Sequence, residues 1–217
     1  MIEINRYIDH TILKATATRE DIVQLCKEAV ENEFFSVCVN SGYVALAKEK
    51  LAGSHVKVCT VVGFPLGAMS TAAKVFEATK ALEDGAEEVD MVINIGELKS
   101  KNFKLVEEEI AAIKKAIGDK VLKVIIETCY LDDPEKEAAC KAALNAKADF
   151  VKTSTGFGTS GASREGVALI KEAVAGKAKI KASGGIKNLD TALHYIELGV
   201  ERIGTSSGVS IVKEMNL

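Results

Sequence analysis

Two lysines stand where a strand should be apolar. Lys152 in DFVKTSTGFG (149–158) and Lys181 in KIKASGG (179–185) each sit in a run that leads into Ser/Thr/Gly turn chemistry. A lysine buried on a strand is costly unless it is paired or used. Two of them on successive strands bring two ammonium groups close together. Burial and a neighbouring cation both push an amine toward its neutral, nucleophilic form. A free lysine titrates near 10.4, and lowering that by about three units corresponds to roughly 4 kcal/mol. The chemistry that uses such an amine is attack on a carbonyl to form a Schiff base. Asp90, in EVDMVIN (88–94), could exchange protons with the carbinolamine and enamine, directly or through one water. Lys181 can supply the cation while Lys152 attacks, but spacing alone does not assign the nucleophile.

The elements that must position these groups alternate along the chain. Apolar, β-branched runs recur at 34–40, 56–64, 88–94, 121–128, 149–155, 179–183 and 202–207, with a weaker one at 7–11. Segments of helical period lie between them. The first, 18–32, opens on Thr18 as N-cap and sets Ile22, Leu25, Cys26 and Ala29 on one face. Others span 70–85 and 102–118, ending at Gly85 and Gly118, then 132–146 with Pro134 in its first turn, 163–176 and 188–199. Strict alternation predicts parallel strands joined by right-handed crossovers. Eight units in this length fit one α/β domain over residues 1–217, a (β/α)8 TIM barrel. A doubly wound open sheet competes, but no GxGxxG follows the first strand.

Side chains alternate along a strand, so Lys152 shares a face with Phe150 and Ser154, Asp90 with Val92 and Asn94, Lys181 with Ser183, and Asp9 with Thr11. If these faces line the lumen, Asp90, Lys152 and Lys181 meet there with Asp9 nearby. The competing reading is a buried ion-pair network that serves stability alone, although such pairs stabilise poorly beside apolar packing.

The glycine-rich strand ends point to phosphate. GGIKN (184–188) and GTSSG (204–208) follow the last two strands and precede helices, and STGFG (154–158) lies one strand earlier. Backbone N–H groups at a helix start bind anions, and barrels often hold phosphate after strands seven and eight. Tight βα turns without a ligand are the alternative.

Composition narrows the classes. Of 217 residues, 47% are hydrophobic and 27% charged, with net charge −3, 5% aromatics and no Trp, which argues against a nucleic-acid surface. No apolar run is long enough to span a membrane. No secretory leader is visible, and five cysteines at non-ligand spacings suggest a reduced, cytoplasmic protein. His10, His55 and His194 are scattered, so no metal site is expected. Cys38 is expected to be a buried structural thiol rather than a nucleophile.

FVKTSTGF (150–157), IKASGGI (180–186), EVDMVIN (88–94), YIDHTIL (7–13), VVGFPLG (61–67) and RIGTSSG (202–208) together resemble the deoxyribose-phosphate aldolase family of class I aldolases, in the same order, over about residues 7–212. The resemblance implies a cofactor-free, reversible cleavage of 2-deoxy-D-ribose 5-phosphate to D-glyceraldehyde 3-phosphate and acetaldehyde. It implies that Lys152 forms the Schiff base, that Lys181 lowers its pKa and helps move protons, and that Asp90 gives and takes protons. It maps phosphate binding to Gly156, Gly184, Gly185, Gly204, Ser206 and Ser207; Asp9, Thr11 and Lys187 are expected as supporting residues of the site. It also implies a cytoplasmic homodimer or homotetramer. Two departures stand out. Some members carry a tail tyrosine that reaches the site, whereas the last tyrosine here is Tyr195 and the sequence closes on Met215-Asn216-Leu217. Lys187 replaces a common arginine, keeping the charge without the bidentate fork. A transaldolase-like or isomerising barrel, and a non-catalytic sugar-phosphate binder, are the alternative functions.

Overall fold

In the computed structural model, residues 2–215 are described; Asn216 and Leu217, part of the C-terminal departure, lie outside them. Eight parallel strands close on themselves in chain order. They are β1 (Ile8–Ile12), β2 (Ser36–Val39), β3 (Lys57–Val62), β4 (Glu88–Val92), β5 (Val121–Ile125), β6 (Phe150–Lys152), β7 (Lys179–Ser183) and β8 (Arg202–Thr205). The helices are α1 (Arg19–Glu31), α2 (Val44–Lys50), α3 (Thr71–Glu83), α4 (Ile95–Lys99), α5 (Phe103–Ile117), α6 (Asp133–Asn145), α7 (Arg164–Val174), α8 (Leu189–Glu197) and α9 (Gly208–Met215). The (β/α)8 expectation holds, including the weak first strand, which pairs with both β2 and β8.

Local chemistry sets the helix ends. Thr18 and Asp132 each complete a capping box at the start of α1 and α6, with Pro134 in the first turn of α6. Gly85 and Gly118 end α3 and α5 with positive φ, as the C-terminal glycines predict. The outward faces of the strands and the inward faces of the helices form one continuous apolar core of Ile, Val, Leu and Ala. That shell is what allows the lumen to be polar.

Some boundaries differ from the sequence reading. The β6 run ends at Lys152 rather than 155, because the chain turns into the STGFG loop. The β8 run ends at Thr205 rather than 207. Two short helices, α2 and α4, were not foreseen; at 7 and 5 residues they offer too few turns for a clear apolar period.

Candidate active site

The lumen holds a dense ion cluster. Lys152 Nζ and Lys181 Nζ both donate to Asp90 Oδ2, each at 2.8 Å. Lys181 also donates to Asp9 Oδ2. Register explains the meeting: Lys152 and Lys181 are direct partners across β6 and β7, and inward faces repeat every second residue. Asp90 and Lys181 are wholly buried, and Lys152 is 3% exposed.

Sequence reasoning missed three members of this cluster. Lys123 on β5 pairs with Asp90 in register and donates to Asp90 Oδ1 at 2.9 Å; it also ion-pairs with Glu88. Arg202 on β8 donates to Asp9 Oδ1 at 2.7 Å and Glu88 Oε2 at 3.0 Å. Its guanidinium stacks 3.5 Å from the Phe35 ring centroid. Lys123 carried the same signal as the other two lysines, a cation inside the β-branched run VLKVIIET. Glu88 shares the face of Asp90 two residues earlier.

The cluster controls its own ionisation. Burial alone would raise the Asp90 carboxyl, but Lys123, Lys152 and Lys181 outweigh it and hold the group well below the usual range. Burial likewise opposes ionisation of Asp9, and Arg202, Lys181 and Lys123 override it. Burial would lower the Lys181 amine, yet Asp9 and Asp90 hold it far above an ordinary lysine. Lys123 is raised in the same sense, by Asp90, Cys59 and Glu88 against its own burial. Lys181 is therefore a fixed cation.

Cysteine spacing suggested no ligand set, but the barrel brings Cys38, Cys59 and Asp90 ligand atoms within 4.8 Å of one another. Lys123 already engages two of these groups, donating to Cys59 Sγ at 3.4 Å as well as to Asp90. Cys59 itself donates to Asp90 Oδ1 at 3.1 Å. Cys38 is buried in a small apolar group with Leu13, Cys59 and Val61.

Above the cluster, on the C-terminal face, opens a cavity of about 320 Å³. Of the three lysines on Asp90, Lys152 alone lines it; Lys123 and Lys181 are wholly buried and do not. Gly156, Gly184, Gly185, Gly204, Ser206, Ser207, Thr11 and Lys187 line it as well, whereas Asp9 and Asp90 do not. Gly184 sits at φ +86°, and a Cβ there would lie 2.8 Å from Gly161 Cα, so two loops close over the β7 end only without a side chain. A Cβ on Gly204 would meet Ser183 Oγ at 2.4 Å and Lys181 Cε at 3.0 Å. Ser183 Oγ and Ser154 Oγ are buried without a protein partner. Thr205 Oγ1 links the two phosphate-candidate loops, donating to the Ile186 carbonyl at 2.6 Å and accepting the Ser207 N–H at 2.9 Å. Tyr195 lies in α8 away from this cavity, its hydroxyl donating to the Ala162 carbonyl at 2.7 Å.

A DeoC/LacD family aldolase model matches residues 4–214. The chain belongs to that aldolase family. The aldolase is 58% identical over 212 residues to the deoxyribose-phosphate aldolase of Finegoldia magna, covering 98% of this chain and 100% of the relative. It is 56% identical to the enzyme of the same name from Coprothermobacter proteolyticus, covering 100% and 99%. Among solved structures, one described as the tetrameric deoxyribose phosphate aldolase from Aeropyrum pernix superposes with a TM-score of 0.92 at 32% identity, covering 98% of this chain and 91% of that one. The aldolase is thus an enzyme, a carbon–carbon lyase by family, on the barrel described above. None of its described helices is long and apolar enough to cross a membrane.

Proposed function

We propose that this aldolase reversibly cleaves 2-deoxy-D-ribose 5-phosphate to D-glyceraldehyde 3-phosphate and acetaldehyde through a Schiff base on Lys152. The observation that carries the assignment is charge balance. The ion-paired cluster contains the carboxylates Asp9, Glu88 and Asp90 and the cations Lys123, Lys181 and Arg202, which match one for one. Lys152 is the fourth basic group and has no carboxylate of its own. Lys152 is also the amine that reaches the cavity.

In this reading the neutral Lys152 Nζ adds to C1 of the open-chain aldehyde, and the carbinolamine takes up a proton and loses water to give an iminium ion. Loss of the C3 hydroxyl proton breaks the C2–C3 bond. The electron pair moves to the iminium nitrogen, D-glyceraldehyde 3-phosphate departs and an enamine remains. Protonation at C2 and hydrolysis release acetaldehyde and restore the amine. Asp90 accepts from both Lys152 and Lys181, so it can exchange protons with the reacting centre, directly or through a water, while the Lys181 cation stays beside it. The glycines and serines of the β6, β7 and β8 ends hold the phosphate with backbone N–H groups and hydroxyls, and Lys187 adds charge at the rim. The shared name of the relatives supports the substrate.

Oligomerisation to a homodimer or homotetramer is part of the proposal. It draws on the tetrameric relative and on Leu66 and Phe76, exposed by 75% and 73% near α3. Five free cysteines fit a cytoplasmic setting.

Sodium borohydride added with substrate tests the chemistry. The expected result is a reduced adduct on Lys152 by mass spectrometry, together with free acetaldehyde. An adduct on Lys181, or turnover without acetaldehyde, overturns the reading; the second outcome would instead favour a transaldolase-like or isomerising barrel.

A further inference from the structure

The end of β5 carries a residue that breaks two rules at once. Glu127 has left-handed backbone, φ 53° and ψ 69°, a conformation that disfavours a side chain of its kind. Its carboxylate is buried, and among the described residues no cationic nitrogen lies within ion-pair distance. Both oxygens serve one neighbour instead. The Thr155 N–H donates to Oε1 and Oε2 at 3.1 and 3.3 Å, and the Thr155 hydroxyl donates to Oε2. Strained backbone and an unpaired buried carboxylate persist only where the surroundings enforce them, and such sites cluster at functional positions.

The end of β8 shows the cheaper solution. Thr205 Oγ1 accepts an N–H from two residues on and gives its proton to a backbone carbonyl. Thr155 Oγ1 accepts the Phe157 N–H in the same way, at 3.0 Å. Its proton, however, goes to a carboxylate, a bond roughly twice as strong as the neutral kind. The consequence is directional. With its proton committed to Glu127, the Thr155 hydroxyl can only accept from the cavity that Thr155 lines.

We propose that Glu127 is a positioning residue that fixes the Lys152–Gly156 segment and makes Thr155 Oγ1 an acceptor-only group for a hydroxyl of the bound sugar phosphate. The inference rests on the aldolase reading above.

The test compares kcat and KM for 2-deoxyribose 5-phosphate cleavage in the wild type, Glu127→Gln, Thr155→Val, Thr155→Ser and the Glu127→Gln/Thr155→Val double variant. Glu127→Gln is expected to raise KM about tenfold, the worth of one good hydrogen bond, with a much smaller change in kcat. Thr155→Val should do the same, and Thr155→Ser, which keeps the hydroxyl, should recover most of the loss. The double variant should be no worse than Thr155→Val alone, because Glu127 acts through that hydroxyl. Equal fold-losses from Glu127→Gln in both backgrounds overturn the inference. So does a wild-type KM in Thr155→Val, a result that does not depend on Glu127→Gln folding. A wild-type enzyme that releases no acetaldehyde overturns the parent reading, and this inference with it.

Discussion

Between α3 and α5, Lys74 and Glu109 form a buried ion pair at 2.8 Å, capped by bonds to the β4 end: Lys74 donates to the Val92 carbonyl at 2.7 Å, and the Asn94 N–H donates to Glu109 at 3.1 Å. In the lumen, a few residues along the same strand, buried lysines are again held by carboxylates. The two regions differ in balance and access. The outer pair is one cation to one anion, and its amine, Lys74, is wholly buried. Burial pushes the Lys74 amine down and the Glu109 carboxyl up, each partly pulled back by the other. The inner cluster has one basic group in excess, and that group opens to a cavity. A buried ion pair is thus no mark of chemistry by itself; a surplus basic group with an exit is the better pointer.

Variants can break this contrast. Lys152→Ala should lower kcat/KM by about 10⁵-fold, as loss of a covalent nucleophile does, while the urea midpoint stays close to wild type because the surplus group is removed. A large fall in the midpoint would show that Lys152 is structural in the manner of Lys74. Asp90→Asn should cost about 10³-fold in kcat, since it removes the shared proton acceptor. Retained kcat would assign that role elsewhere. Lys74→Met should do the opposite of Lys152→Ala, lowering stability by about 3–5 kcal/mol through an orphaned Glu109 while folded enzyme keeps its turnover. The Lys74→Met/Glu109→Leu double variant should recover most of that loss; if it does not, the pair is more than a packing device.

Acid and base sharpen the contrast more gently. Asp9 and Asp90 have carboxyls depressed in the folded state, so their contribution is present above the unfolded value of about 3.9 and is lost as pH falls through the folded values. Lys123 and Lys181 are raised, so theirs is fully present below about 10.4 and lost as pH rises through the folded values. The difference in urea midpoint between wild type and Lys123→Met should therefore be flat from about pH 5 to 9 and shrink outside that range. A slope through neutrality would mean that the cluster titrates where the fixed cations forbid it.

Strand and helix alternation made the barrel readable, and the period-2 placement of Lys152, Lys181 and Asp90 made their meeting in its lumen readable. Lys123 carries the same signal, a cation in a β-branched run, but VLKVIIET leads into no glycine-rich turn. Glu88 and Arg202 stand at strand starts, where charge reads as an ordinary boundary, and only barrel closure turns them inward. Glu127 could not be found that way at all. Nothing in its residue type announces a left-handed backbone, and its partner lies 28 residues on.

Asp9 comes from the first strand, and its partners Lys181 and Arg202 come from the last two, 172 and 193 residues later. Site assembly and barrel closure are therefore one folding event, and a late one, since contacts of such separation form slowly. A ribosome-bound chain stalled before β8 would carry Lys152 and Asp90 yet lack the Arg202 guanidinium that pins Asp9. Such a chain should give no borohydride adduct until synthesis passes Thr205, which makes the trapping reaction a clock for completion of the fold.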